Sequence, residues 1–190
     1  MTTIFGVDPG LTRLGVGIIS SGPGRNVKLV HVDVFRTPKE ADPVARIGEM
    51  AKALAKALDR FAPDLIALER VFAQHNVRTV MGTAQVSGVV LALAHERGIP
   101  VSLRTPSEVK AAVTGHGRAA KDQVGFMVKQ ILGLDEIPKP ADAADALALA
   151  ITEAWRGENL AKGTLSTPMT PAQKAWREAE AKSRQPRLKK

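Results

Sequence analysis

The chain opens on short apolar runs separated by turn residues and then passes into helical periodicity. Ile4 to Asp8 is an apolar run that ends at an acid, and after Asp8-Pro-Gly10 a second run spans Leu14 to Ile19, so two strands joined by a tight turn are predicted. Gly22-Pro-Gly24 supplies the next turn. From Val27 to Phe35, the apolar Val30, Val32 and Val34 alternate with His31, Asp33 and Phe35, which is the period of a third strand. Three strands in succession, linked by turns, make an antiparallel meander.

The texture changes at Asp42-Pro43, an N-cap followed by proline at the first helical position. Ile47, Met50, Ala51, Leu54 and Leu58 then recur at helical spacing until Pro63. Leu65 to Leu68 reads as a short buried strand that also ends at an acid, Glu69. A helix from Asn76 to Arg97 stops at Gly98-Ile-Pro100, and Val101 to Leu103 is the strand that follows. Ser107, with Glu108 and Lys110, opens a short helix broken by Gly115-His-Gly117. Ala120 to Leu132 carries Val124, Met127, Val128 and Ile131 on one face, and the Ala- and Leu-rich stretch from Ala141 to Trp155 is the last helix. The resulting order, β-β-β-α-β-α-β and then helices, predicts one α/β domain over 1–156. Residues 157–190, rich in Lys, Arg, Gln, Pro and Ala, are expected to be a basic flexible tail.

Composition narrows the chemistry. Without a single cysteine among 190 residues, disulfides, thiolate zinc sites, iron–sulfur clusters and cysteine nucleophiles are excluded, and a cytoplasmic setting is expected. The amino end has no signal-peptide pattern and the longest apolar stretch, Val89 to Ala94, is far below bilayer length, so no membrane association is expected. The formal charge of +8 is unevenly spread. Residues 1–69 carry 9 basic and 8 acidic groups, 70–121 carry 7 and 2, 122–156 carry 3 and 6, and 157–190 carry 8 and 3. A clustered excess of this kind marks a polyanionic partner such as nucleic acid, against the plainer reading of solubility alone.

Asp8 and Glu69 end two strands, and Asp142 and Asp145 open the last helix, three apart and hence on one face. Singly, each has an ordinary explanation as a turn former, a strand end or a complement to a helix N-terminus. Brought to one edge they repel unless cations neutralise them, and hard oxygen donors point to Mg²⁺ or Mn²⁺. With those four acids assigned to cations, the body retains 19 basic and 12 acidic groups.

The element order and the acid-terminated strands resemble the ribonuclease H-like superfamily and, within it, the RuvC family of Holliday-junction resolvases. The resemblance is carried by Gly6-Val-Asp-Pro-Gly10 with Gly15-Val-Gly17, by Ala67-Leu-Glu-Arg-Val-Phe72 followed by Asn76, by Val109-Lys110 and Gly115-His-Gly-Arg-Ala-Ala-Lys121, and by Ala141-Asp-Ala-Ala-Asp-Ala-Leu-Ala148. It implies a mixed five-stranded sheet, three antiparallel strands then two parallel, flanked by helices. It also implies a homodimeric, structure-specific endonuclease that nicks opposed strands of a four-way DNA junction symmetrically, leaving 5′-phosphate and 3′-hydroxyl ends. Asp8, Glu69, Asp142 and Asp145 fall on the family's catalytic acids, expected to hold two Mg²⁺ ions per subunit with Mn²⁺ as a substitute. Lys121 is an expected catalytic residue, either stabilising phosphate charge or anchoring the backbone, and Lys110 matches a second family lysine. Phe72 matches an aromatic that inserts at the junction, with Arg70, His75, Asn76, Arg78 and Arg118 as further expected DNA contacts. Cooperation with a RuvA–RuvB branch-migration complex is implied as well.

Small residues in the 76–97 helix (Gly82, Thr83, Ala84, Ser87, Gly88) make it the expected subunit interface, against packing on its own sheet. Competing functions are a Yqg-type nuclease of the same superfamily acting on structured RNA, and a junction-binding protein without catalysis. An actin-like ATPase needs a duplicated domain for which this chain is too short.

Overall fold

A computed structural model of the chain describes residues 1–71 and 77–161, with side chains throughout except at 77–79 and 157–161. Strands β1 (Thr2–Asp8), β2 (Arg13–Ser21) and β3 (Val27–Arg36) form the expected meander, and β4 (Leu65–Glu69) and β5 (Val101–Arg104) extend it. The sheet order is β3-β2-β1-β4-β5, antiparallel across β3-β2-β1 and parallel across β1-β4-β5. Helix α1 (Pro43–Phe61) joins β3 to β4 and α2 (Val77–Glu96) precedes β5. Three more helices follow: α3 (Pro106–Thr114), α4 (Lys121–Leu132) and α5 (Ala141–Ala161).

Each face of the sheet has its own core, as alternating side chains require. Phe5, Val7, Val16, Ile18, Ile66 and Leu68 pack against Met50, Leu54 and Leu58 of α1 and Val86 and Val90 of α2. Ile4, Ile19 and Ala67 face the other way, onto α3, α4 and α5 through Val113, Val128, Leu147 and Ile151.

Local chemistry accounts for the helix ends. The Asp42 carboxylate accepts from the Ala45 amide at 3.0 Å with Pro43 in the first turn, and Ala62 closes α1 in the left-handed region. Helix α3 begins at Pro106, one residue before the expected Ser107, and its cap is Thr105. Thr105 Oγ1 accepts from the Glu108 amide at 3.2 Å while Glu108 Oε2 accepts from the Thr105 amide at 2.9 Å, a reciprocal box that places Pro106 in the first turn.

Two other expectations are corrected. The strict alternation read through Val30 breaks at a bulge, where pairing passes from Ile18↔His31 to Ile19↔Leu29 and leaves Val30 unpaired and 47% exposed. The extra residue lets Leu29 and Val32, three apart, pack on the same core. Helix α5 also continues past Trp155 to Ala161. The chain divides into a first unit, Met1–Glu158, and a second, Asn159–Lys190; beyond Ala161 the tail expected over 157–190 lies outside the described residues. Among the described residues no helix is long and apolar enough to cross a membrane.

Candidate active site

The site exists because α5 lies against the sheet by its backbone. Gly6 of β1 pairs with Gly17 of β2, and Asp8 with Gly15, so glycines pave the surface under the helix. A methyl group at Gly6 would overlap the Ala146 carbonyl oxygen, one at Gly15 the Asp142 carbonyl, and one at Gly17 would come within 2.6 Å of the Leu147 amide nitrogen. The helix answers with small residues of its own, since Ala143, Ala146 and Ala150 are all buried. This close approach brings the first turn of α5 to the end of β1. Because β1 and β4 are parallel with Val7 opposite Leu68, the next residue of each strand, Asp8 and Glu69, stand side by side.

Four carboxylates therefore crowd one edge. The Asp8 carboxyl is pushed up to about 9, first by burial, then by a hydrogen bond with the Glu69 side chain, then by the negative charges of Glu69, Asp145 and Asp142. The outer acids are met by cations: Arg13 Nε lies 3.1 Å from Asp142 Oδ2, and Lys121 Nζ lies 3.0 Å from Asp145 Oδ2. The hydrogen bond to Asp145, together with the charges of Asp145, Asp8 and Glu69, holds the Lys121 ammonium above the usual lysine range.

Among the described residues no three acids are gathered at a common metal-sized point. Arg13 and Lys121 draw the helix acids toward themselves, and a proton held between Asp8 and Glu69 relieves the remaining repulsion. The donor set nevertheless fits a divalent cation: it is all carboxylate oxygen, and burial together with the charges of three neighbouring acids makes positive charge favourable beside Asp8.

The two lysines converge on these acids. Lys110 and Lys121 line one small pocket with Asp8, Glu69 and Asp145. A wider cleft of about 550 Å³ opens beside it, walled by Asp8, Glu69, exposed Arg70, Thr105 and Ser107. Arg118 is exposed between α3 and α4. Phe72, His75 and Asn76 lie outside the described residues, as does the side chain of Arg78.

Two charged features escaped the sequence reading. Arg13 follows the Asp8-Pro-Gly10 turn, and only the docking of α5 gives it Asp142 as a partner. Arg104 pairs with Glu69 in the β4-β5 ladder while its side chain forms a mostly buried ion pair with Glu153 of α5 at 2.6 Å. This single residue thus joins the strand carrying Glu69 to the helix carrying Asp142 and Asp145.

Known proteins match this chain over most of its length. The family model described as crossover junction endodeoxyribonuclease RuvC matches residues 4–153. A protein of that name from Paenarthrobacter aurescens is 55% identical over 185 residues, covering 97% of this chain and 98% of its own. Another, from Saccharopolyspora erythraea, is 59% identical over 153 residues, covering 80% and 77%. Among solved structures, T. thermophilus RuvC in complex with Holliday junction substrate superposes with a TM-score of 0.78 at 36% identity, covering 83% of this chain and 95% of that one. The fowlpox virus resolvase, at 17% identity and a TM-score of 0.56, shares the fold. With both the acid-bearing strands and the first turns of α5 inside the matched range, the chain belongs to the RuvC family of crossover junction endodeoxyribonucleases.

Proposed function

We propose that this chain resolves four-way DNA junctions, hydrolysing one phosphodiester in each of two opposed strands as a homodimer. The observation that carries the reading is the meeting of Asp8, Glu69, Asp142 and Asp145 at one sheet edge, with Lys110 and Lys121 beside them, in a chain of this family. The four acids would hold two Mg²⁺ ions per subunit, or Mn²⁺ in their place. Bound there, the cations would supply a nucleophilic water of lowered pKa and neutralise charge on the leaving 3′-oxygen. Asp8, at the centre, would hold the cations as a carboxylate, and Asp142 and Asp145 would complete the set in place of their contacts with Arg13 and Lys121. Lys121, released from Asp145 and charged throughout the working pH range, is placed to stabilise the phosphate as negative charge builds on it. Arg70 at the cleft mouth and Lys110 inside hold the flanking backbone. Products would carry 5′-phosphate and 3′-hydroxyl ends, and RuvA–RuvB would be the partner complex.

Lys121→Ala is expected to slow single-turnover cleavage about 100-fold while junction affinity changes far less. Equal losses in rate and affinity would reduce Lys121 to a backbone anchor. The reading as a whole is tested by incubating labelled four-way junction, plain duplex and structured RNA with the protein in Mg²⁺ or EDTA. Paired, symmetric, Mg²⁺-dependent cuts confined to the junction are expected; preferential cutting of RNA would favour the Yqg-type alternative, and binding without cutting a non-catalytic role.

What supports dimerisation is the outward face of α2. Gly82 packs on Leu11 and buried Ser87 donates to the Thr83 carbonyl, so these small residues serve the chain's own fold. Met81, Ala84, Gly88 and Leu91 face outward, with Met81 55% and Leu91 44% exposed and nothing within 4 Å of a methyl placed on Gly88. That strip suits close approach of a second copy about a two-fold axis. Leu91→Glu is expected to halve the mass measured by light scattering and to uncouple the two nicks; an unchanged mass would remove α2 from the interface.

A further inference from the structure

From Asp142 a groove of about 940 Å³ runs past the β1-β2 turn to the start of α1, bordered also by α2 from Met81 at the edge of the outward strip to Gln85, and Arg46 lies in it. The guanidinium donates through Nε to Thr37 Oγ1 at 3.0 Å, through Nη2 to Thr12 Oγ1 at 2.8 Å and through Nη1 to the Lys39 carbonyl at 3.5 Å. Thr37 is buried, and its own hydroxyl donates to the Leu11 carbonyl, so the threonine cannot turn away. All three acceptors are neutral, and half-buried Arg46 has no carboxylate partner among the described residues. One N–H remains on each terminal nitrogen. A charged guanidinium fixed in one orientation, with donors left over, is preorganised for an anion.

The surroundings indicate which anion. Thr12, which helps hold Arg46, directly precedes Arg13, whose side chain contacts Asp142. Arg46 therefore lines the same groove as Arg13, the cation that borders the acid cluster. Lys39 is exposed on the same wall and its ammonium has no acid partner among the described residues. Glu40, also exposed, and Asp142 are the acids lining the groove.

We propose that this groove binds the phosphodiester backbone of the strand being cut, Arg46 holding a phosphate that flanks the scissile one and Lys39 holding the next. The proposal rests on the reading of the chain as a junction endonuclease and adds to it a track, separate from the pocket of Lys110 and Lys121, that reaches the acid cluster at Asp142. A purely structural role for Arg46, tying the β1-β2 turn to the segment before α1, makes a different electrostatic prediction.

Junction binding measured in EDTA across salt from about 50 to 200 mM separates the two. Arg46→Gln is expected to weaken binding several-fold and to lower the slope of log K against log salt by about 0.9, one phosphate's contribution. Lys39→Ala, which loses no side-chain hydrogen bond, should lower the slope similarly, and Arg46→Lys should keep it. Neutral methylphosphonates placed singly at each linkage near the cut locate the contact. At one linkage the substitution should weaken wild type and leave Arg46→Gln unaffected, because the charge pair is already gone. Wild-type slopes in both Arg46→Gln and Lys39→Ala, or methylphosphonate losses that add fully to Arg46→Gln at every linkage, would overturn the proposal. Should Arg46→Gln unfold, the Lys39→Ala slope and the methylphosphonate scan on Arg46→Lys decide. A wild type that does not prefer junction to duplex would instead sink the underlying reading.

Discussion

Asp8→Asn is expected to abolish cleavage and, in EDTA at neutral to alkaline pH, to melt at a higher temperature than wild type. The two outcomes share one cause. Asp8 is half-buried beside three other carboxylates, and its carboxyl is pushed up to about 9 against an ordinary value of 3.8. The folded state therefore holds a proton that the unfolded chain releases over most of that interval. Stability contributed by this group is fully present below the unfolded value near 4, falls as pH rises toward 9, and levels off above it. Asparagine has no such charge to accommodate. A gain of about 2 kcal/mol, well inside the range such a shift permits, corresponds to a rise in Tm of about 4–8 °C at pH 8 for a chain of this size. Added Mg²⁺ reverses the comparison by stabilising wild type and doing little for the variant. Junction binding should survive, since the cations proposed to contact phosphate are untouched. Differential scanning fluorimetry across pH with and without Mg²⁺, beside a single-turnover cleavage assay, reads every part. Mg²⁺-dependent cleavage retained by Asp8→Asn would remove the acid cluster from the chemistry, and a lower Tm in EDTA would show that Asp8 supports the fold.

This tension between stability and charge bears on how much of the site was legible in the sequence. Acids directly after the apolar runs Ile4–Val7 and Leu65–Leu68 were visible because a strand's end is visible, and the parallel pairing of those strands then placed Asp8 beside Glu69. Asp142 and Asp145 were legible as one helix face by their spacing alone. Hidden were the contacts made by packing between elements distant in the chain. Arg13 and Asp142 are 129 positions apart, and Arg104 and Glu153 are 49 apart; no local periodicity relates either pair. The bulge at Val30 was hidden for a different reason, because a residue omitted from pairing leaves the alternation on each side of it intact. The Thr105 cap of α3 was not legible because two hydroxyl residues, Thr105 and Ser107, flank Pro106, and only the backbone path shows which one caps the helix.

Gly15→Ala should give a folded protein with cleavage reduced about 100-fold, and it tests the link between sheet and site most directly. In β2 the backbone at Gly15 is ordinary extended strand that alanine adopts readily. The obstacle is spatial: the added methyl would overlap the carbonyl oxygen of Asp142 and stand 2.8 Å from its carbonyl carbon, both backbone atoms that cannot rotate aside. Helix α5 must lift at its first turn, where Asp142 and Asp145 sit, while its later turns remain held by Leu147, Ile151 and Ala154 in the core. Overpacking of this kind costs about 1–3 kcal/mol, which a domain with two separate cores can absorb. The site is less tolerant, because a displacement near 1 Å of groups that position a reaction costs about 100-fold in rate. The prediction therefore separates stability from function: a Tm lowered by a few degrees, near-normal junction affinity in EDTA, and a higher Mg²⁺ concentration for half-maximal cleavage. Gly22→Ala, where a methyl meets nothing closer than 3.9 Å, is the control and should leave all three unchanged. If Gly15→Ala cleaves like wild type, the close approach of α5 serves packing alone, and the positions of Asp142 and Asp145 must be set from the other end of the network, through Arg104 and Glu153.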